Sequence, residues 1–169
     1  GIPELLVVVS GLAQRFLEVE LSFNPDSAAR GTVLEVKQEK GLGPTVDVII
    51  YDGTLKVGDT IVVGGVSEPI VTKVKALFQP GELAEMSDKK AKFRSVQQVF
   101  AATGVKISAL HLEEALAGMP LRVARENVEK AKQEVQQELS QVMIATQQEG
   151  VVVKADSLGS LEALTLLLK

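Results

Sequence analysis

The chain has 169 residues, of which 46% are hydrophobic and 4% aromatic, with no tryptophan, no cysteine and a net charge of −4. This is room for one domain or two small ones around a mostly aliphatic core. The lack of cysteine excludes disulfides, thiolate zinc sites and cysteine nucleophiles and suits the cytoplasm, and no apolar run approaches the ~20 residues of a membrane span, so no membrane partner is expected.

Gly1-Ile2-Pro3-Glu4 reads as a helix already under way, with proline where its missing N–H costs nothing. Leu5, Leu6, Val8, Val9, Leu12, Ala13, Phe16 and Leu17 continue it as a broad apolar stripe at helical spacing. A chain that opens so reads as cut from a larger domain, with the helix over 1–22. Asn24-Pro25-Asp26-Ser27 has the composition of a linker, placed at 23–28.

From Ala29 the pattern changes to short alternating runs broken by glycine, proline and Asp-Gly, the pattern of a small antiparallel barrel. Gly31 to Lys37 is one strand and ends at Gly41-Leu42-Gly43-Pro44. Val46 to Tyr51 is the second, rich in branched residues, followed by a hairpin turn at Asp52-Gly53. Thr60 to Val63 follows a turn at Gly58-Asp59, and Ile70 to Leu77 reads as one longer strand. Residues 82–95 read as irregular and charged. Val96 to Ala102 and Val105 to Leu110 are further strands, Leu112 to Ala117 a helical turn stopped by Gly118, and Leu121 to Ala124 the closing strand. Six or seven strands would close a barrel over 29–124 and leave few exposed edges.

Beyond Glu126 the period becomes helical. Val128, Ala131, Val135, Leu139 and Val142 form one narrow seam, too short for a coiled coil and suited to packing within the protein. Val151-Val152-Val153 reads as a buried strand, Asp156 to Ser160 as a turn rich in capping residues, and Leu161 to Leu168 as an apolar helix. A lone strand and helix cannot bury their faces, so 125–169 reads as the opening of an incomplete α/β domain.

Charge is unevenly spread. Residues 1–69 hold ten acids and five bases, whereas residues 70–110 hold three acids and seven bases. The basic stretch Lys89-Lys90-Ala91-Lys92-Phe93-Arg94 could pair phosphates and stack a base. Lys73 and Lys75, two apart on a strand, share a face and could extend it. The competing reading is a solvated loop with Phe93 anchored in the core. Other chemistry is weak. Gly41-Leu42-Gly43-Pro44 joins strand to strand, so no helix amides back a phosphate. Asp47, Asp52 and Asp59 match no calcium loop and read as solvated turn acids. His111 has no companion ligand, and the adjacent Glu113 and Glu114 diverge on a helix.

The order of parts resembles the second domain of translational GTPases. A strand opens with Arg30-Gly31-Thr32-Val33, a turn reads Lys56-Val57-Gly58-Asp59, and the next strand reads Thr60-Ile61-Val62-Val63. Together with Gly104-Val105-Lys106-Ile107, Ala117-Gly118-Met119-Pro120-Leu121 and the long block Gly150 to Leu164, nearly the whole chain resembles the translation initiation factor 5B family, relative of bacterial initiation factor 2. The resemblance implies a mainly β fold: a translational-GTPase domain II-type antiparallel barrel, flanked by the last helix of a GTPase domain and the start of a third domain. It implies a parent that uses GTP and Mg and promotes ribosomal subunit joining with initiator tRNA and initiation factor 1A. Its barrel would pack on the GTPase domain and contact small-subunit rRNA, with Lys73, Lys75, Lys89, Lys90, Lys92, Phe93 and Arg94 as candidate contacts. This chain has no Gly-x-x-x-x-Gly-Lys-Ser/Thr loop and no Asn-Lys-x-Asp. Asp156-Ser157-Leu158-Gly159 has a switch-like spacing without a phosphate loop upstream. No catalytic residue, cofactor or metal is therefore assigned here. The alternative is a protein-interaction scaffold barrel without RNA contact.

Overall fold

The computed structural model describes residues 1–17, 24–65, 68–81, 93–125, 127–142 and 152–168. Among these are ten strands and three helices, more strands than the six or seven expected. Helix α1 (Ile2–Phe16) is followed by β1 (Arg30–Glu39), β2 (Gly43–Asp52), β3 (Thr54–Lys56), β4 (Thr60–Val63), β5 (Ile70–Lys73) and β6 (Ala76–Pro80). Then come β7 (Phe93–Val96), β8 (Gln98–Phe100), β9 (Thr103–Ser108), a 3-10 turn at Leu112–Glu114, β10 (Pro120–Val123), α2 (Val128–Val142) and α3 (Leu158–Leu167).

Eight strands form one antiparallel sheet in the order β5-β4-β10-β1-β2-β9-β6-β7, while β3 and β8 pair apart. The expected run Ile70 to Leu77 is two strands, not one. β5 pairs with β4 at one end of that order, and β6 pairs with β9 near the other. One continuous stretch of chain thus runs from one end of the order to near the other. The switch falls at Val74-Lys75, whose amides donate to Asp59 O (3.0 Å) and Ser108 O (2.9 Å). The buried face changes there: Ile70, Thr72 and Val74 point in before it, and Leu77 after it. A shift of one residue is how a strand turns its other face inward. The strand expected to close the barrel at 121–124 is β10, which pairs with β1 on one side and β4 on the other and so joins the two parts of the sheet.

Asp52-Gly53 is not a hairpin turn either. Both edges of β2 are taken, by β1 and β9, so the chain leaves the sheet at Gly53 (φ 72°) and β3 pairs with β8. The expected strand Val96 to Ala102 is broken at Gln97, whose carbonyl accepts from the Val57 amide at 2.9 Å. Of the irregular stretch 82–95, residues 93–95 lie in β7, and 82–92 fall outside the described residues. Val152 and Val153 form no strand, and Val152 is 81% exposed.

The core is aliphatic, as composition requires. Val33, Val48, Ile50, Leu77, Ile107 and Leu121 are wholly buried in it, and among the described residues no aromatic ring joins them. Each such side chain contributes about 1.5–3 kcal/mol over an exposed one. A second, smaller core forms outside the barrel, where Ala131 and Val135 of α2 cover Val62 and Ala124. The part of the α2 seam formed by Val128, Ala131 and Val135 is thus spent on the barrel wall. By contrast α1, with Pro3 in its first turn, buries none of its residues. Helix α3 starts at the Ser157 cap, whose hydroxyl accepts from the Ser160 amide at 3.3 Å. It touches the barrel where the Leu158 amide donates to Ala117 O at 3.2 Å.

Candidate functional site

The candidate cations divide between hairpins. Lys73, at the end of β5, pairs in register with Thr60, and Arg94, on β7, pairs with Gln79. Lys73, Lys75 and Arg94 are all exposed. Lys73 and Lys75 share an outward face, as expected, because the face change comes only after Lys75. Arg94 thus stands on a different hairpin from Lys73. Lys89, Lys90 and Lys92 lie outside the described residues. Phe93 is half-buried, and the Lys106 ammonium stands 5.0 Å from its ring centre, within the range of a cation–π contact.

Lys106 is a residue the sequence reading missed. It is 2% exposed on β9, directly across from Asp47 on β2, which is 3% exposed. Its Nζ lies 2.9 Å from Asp47 Oδ1 and 2.7 Å from Glu39 Oε1. Lys37 Nζ completes the group at 3.0 Å from Asp47 Oδ2 and 2.7 Å from Glu35 Oε2. Asp47 is therefore not a solvated turn acid. It stands mid-strand between Val46 and Val48, where a charge survives only with partners. A signal was present: Val-Asp-Val and Val-Lys-Ile each place a charge inside an apolar strand run.

Burial works against the charge on Lys37, but the hydrogen bonds it donates to Glu35 and Asp47, with the attraction of the two carboxylates, outweigh it and raise its pKa above the ordinary 10.5. A raised lysine pKa stabilises the fold fully below the unfolded value and loses that contribution as pH rises through the folded one. Urea unfolding followed from pH 9 to 12 is expected to show stability that Lys37→Met lacks below about pH 10.5, the two proteins converging above it.

A second polar assembly lies where the chain enters and leaves the barrel. The segment 24–28, expected as a linker, is fastened down. The Thr54 hydroxyl donates to Pro25 O, the Thr54 amide to Ser27 O (3.1 Å), and the Asn24 amide to Asp52 Oδ1 (3.2 Å). Arg125 donates through Nη1 to Asp26 O (3.0 Å) and through Nη2 to Thr54 O (2.7 Å). Under α2, Arg122 is buried, donates to Leu121 O (2.9 Å) and pairs with Glu138, while Arg30 Nη2 lies 3.6 Å from Glu134 Oε2. A cleft of about 510 Å³ lies between segment 24–30, β10 and α2.

The remaining candidates stay structural. Gly41 (φ 88°) and Gly43 (φ 76°) make a turn whose Leu42 carbonyl accepts from the Ser108 hydroxyl at 3.1 Å. His111 is 73% exposed, with Nδ1 4.0 Å from Glu113. Among the described residues no group of three His, Cys, Asp or Glu could hold a metal.

Residues 43–122, from β2 to β10, match the family described as Elongation factor Tu domain 2. The "Probable translation initiation factor IF-2" of Methanococcus maripaludis strain C7 is 56% identical over 165 residues, or 97% of this chain and 28% of that protein. The protein of the same description from Methanopyrus kandleri is also 56% identical, over 96% of this chain. The crystal structure of GDP-bound aIF5B from Aeropyrum pernix matches at TM-score 0.82 and 46% identity, over 99% of this chain and 28% of that one. The chain belongs to the initiation factor IF-2/5B family. It spans 28% of the length of these relatives. Within the family the barrel is the mainly β, Elongation factor Tu domain 2-type fold that the turn and strand order predicts, with helices at both ends of the chain.

Proposed function

We propose that this chain is a non-catalytic segment of a translation initiation GTPase: the end of its GTP-binding domain, its barrel and the start of a third domain. The observation that carries this reading is the 56% identity to initiation factors maintained across 97% of the chain. The parent binds GTP with Mg, works in the cytoplasm on the ribosome, and promotes subunit joining with initiator tRNA and initiation factor 1A. The barrel rests on small-subunit rRNA through Lys73, Lys75, Lys89, Lys90, Lys92, Phe93 and Arg94. It receives the GTPase domain and relays nucleotide state toward α2.

Phosphate pairing makes such a contact salt-dependent, and each phosphate lost lowers the slope of log K against log salt by about 0.7–0.9. Alanine at Lys73, Lys75 and Arg94 in the parent factor is expected to weaken small-subunit binding and flatten that slope by about 2 in a filter assay across several salt concentrations. Alanine at Lys89, Lys90 and Lys92 is expected to add to the loss. The separation of Lys73 from Arg94 on different hairpins favours a second reading, a scaffold barrel that meets only protein. Unchanged affinity and slope in both sets of variants would select it.

A further inference from the structure

Arg125 stands two residues before Asn127, whose side-chain carbonyl caps α2 by accepting from the Lys130 amide at 3.1 Å. Its guanidinium straddles two carbonyls from separate places: Asp26, on the segment leading into the barrel, and Thr54, on β3. Neither acceptor is a carboxylate, and among the described residues no carboxylate lies within ion-pair distance of Arg125. The side chain therefore acts by geometry. A planar fork can hold two carbonyls at fixed separation, which the point charge of a lysine cannot. A second guanidinium runs the opposite way. Arg30, at the first position of β1, reaches Glu134 on α2 at 3.6 Å. The chain leaving the barrel thus holds the chain entering it, and the chain entering holds the helix that leaves.

We propose that Arg125, seconded by Arg30, is a positioning residue that locks segment 24–28 and the first turns of α2 into one rigid unit. Segment 24–28 is already pinned to β3 by Thr54. Gly53 allows this close approach, because any Cβ there would meet Ala28 O at 2.6 Å. α2 is already seated on Val62 and Ala124 through Ala131 and Val135. What Arg125 adds is the link between the two seats. Arg30, with its side chain 49% exposed, is the weaker member, since solvent screens such a pair. For the relay reading above, on which only this consequence rests, a displacement of the lead-in segment reaches α2 directly rather than through the barrel core.

The test is residue-resolved hydrogen exchange on the parent factor in one nucleotide state. The amides of Ser27 and Thr54 are bonded to Asn24 O and Ser27 O, and that of Ala131 to Asn127 O, so each reports local opening. In Arg125→Ala all three are expected to exchange about tenfold faster, with Val48 and Val105 in the barrel unchanged. In Thr54→Val, which removes the hydroxyl bond but keeps the fork, only Ser27 and Thr54 should accelerate. Arg125→Lys should fall between wild type and alanine. If Arg125→Ala speeds the lead-in amides and leaves Ala131 at its wild-type rate, or if Thr54→Val also speeds Ala131, the clasp is overturned. The relay fails separately, if replacing GDP by a GTP analogue leaves the Ala131 rate of the wild-type protein unaltered.

Discussion

Replacing Asp47 with alanine is expected to destabilise the protein by about 3–5 kcal/mol, because removing one partner of a buried pair strands the other's charge. Lys106 is 2% exposed and cannot turn to water without leaving its strand position. Glu39 remains 2.7 Å from its ammonium, and at 33% exposure it can neutralise part of that charge. The loss should therefore lie nearer about 3 kcal/mol, a fall of roughly 10 °C in Tm for a protein of this size. Lys37 also loses one of its two carboxylate partners, but it is 28% exposed and keeps Glu35. The companion variant Asp47→Val with Lys106→Met removes both charges and should recover most of the stability, since well-packed apolar replacements of buried pairs are often neutral. Urea unfolding of the three proteins checks both statements. A loss below about 1 kcal/mol in Asp47→Ala would mean that the charge is hydrated in solution.

Gly53→Ala is expected to cost about 2–5 kcal/mol, from two sources that act together. The backbone sits at φ 72°, a left-handed conformation that costs a side-chain-bearing residue roughly 1–2 kcal/mol. The added Cβ would also lie 2.6 Å from Ala28 O and 2.8 Å from Ser27 O, both backbone atoms that no rotamer change can clear. Relief requires segment 24–28 to lift from β3, breaking the Thr54 to Ser27 bond and the Arg125 fork. Gly58→Ala is the control. It has φ 89° with nothing within 4 Å of an added Cβ, so it should show the backbone strain alone, about 1–2 kcal/mol. Equal losses at the two glycines, measured by thermal unfolding, would show that the lead-in segment is not seated as described.

The local grammar of the barrel was legible in the chain and its wiring was not. Turns at Gly41-Leu42-Gly43 and Gly118, the 3-10 turn at Leu112, the Ser157 cap and the aliphatic core all follow from residues close in sequence. Strand partners do not. Asp52-Gly53 has the composition of a hairpin, but which edge of β2 is free depends on β1 and β9, which lie far off along the chain. The run Ile70 to Leu77 gives no sign in its composition that its two halves pair with opposite ends of the sheet. Its alternation does slip by one residue between Val74 and Leu77, and that slip is the visible trace of the seam. In the candidate site, exposed cations were readable because charge sits outside by default. The buried pair Asp47–Lys106 was not resolved, because two charges in separate strands look solvated until register brings them together. Segment 24–28 shows the same limit: Asn, Pro, Asp and Ser mark a turn, but the partners that fasten it, Asp52, Thr54 and Arg125, lie about 30 to a hundred residues later.

The position of β1 between β2 and β10 has a consequence for how the polypeptide matures. Arg30 pairs with Asp52 on one side and with Arg122 on the other, so its second neighbour emerges roughly 90 residues after it. At about 5–20 residues per second of synthesis, the nascent first strand waits some 5–20 s with a bare edge. During that interval the edge of β1 that β10 will cover stays open, even after β9 has joined β2, and a bare edge is the kind of surface that meets chaperones or other unfinished chains. The sheet cannot be complete before Pro120–Val123 has been made, and variants that slow the insertion of this strand are expected to appear as aggregates during expression rather than as weak binders.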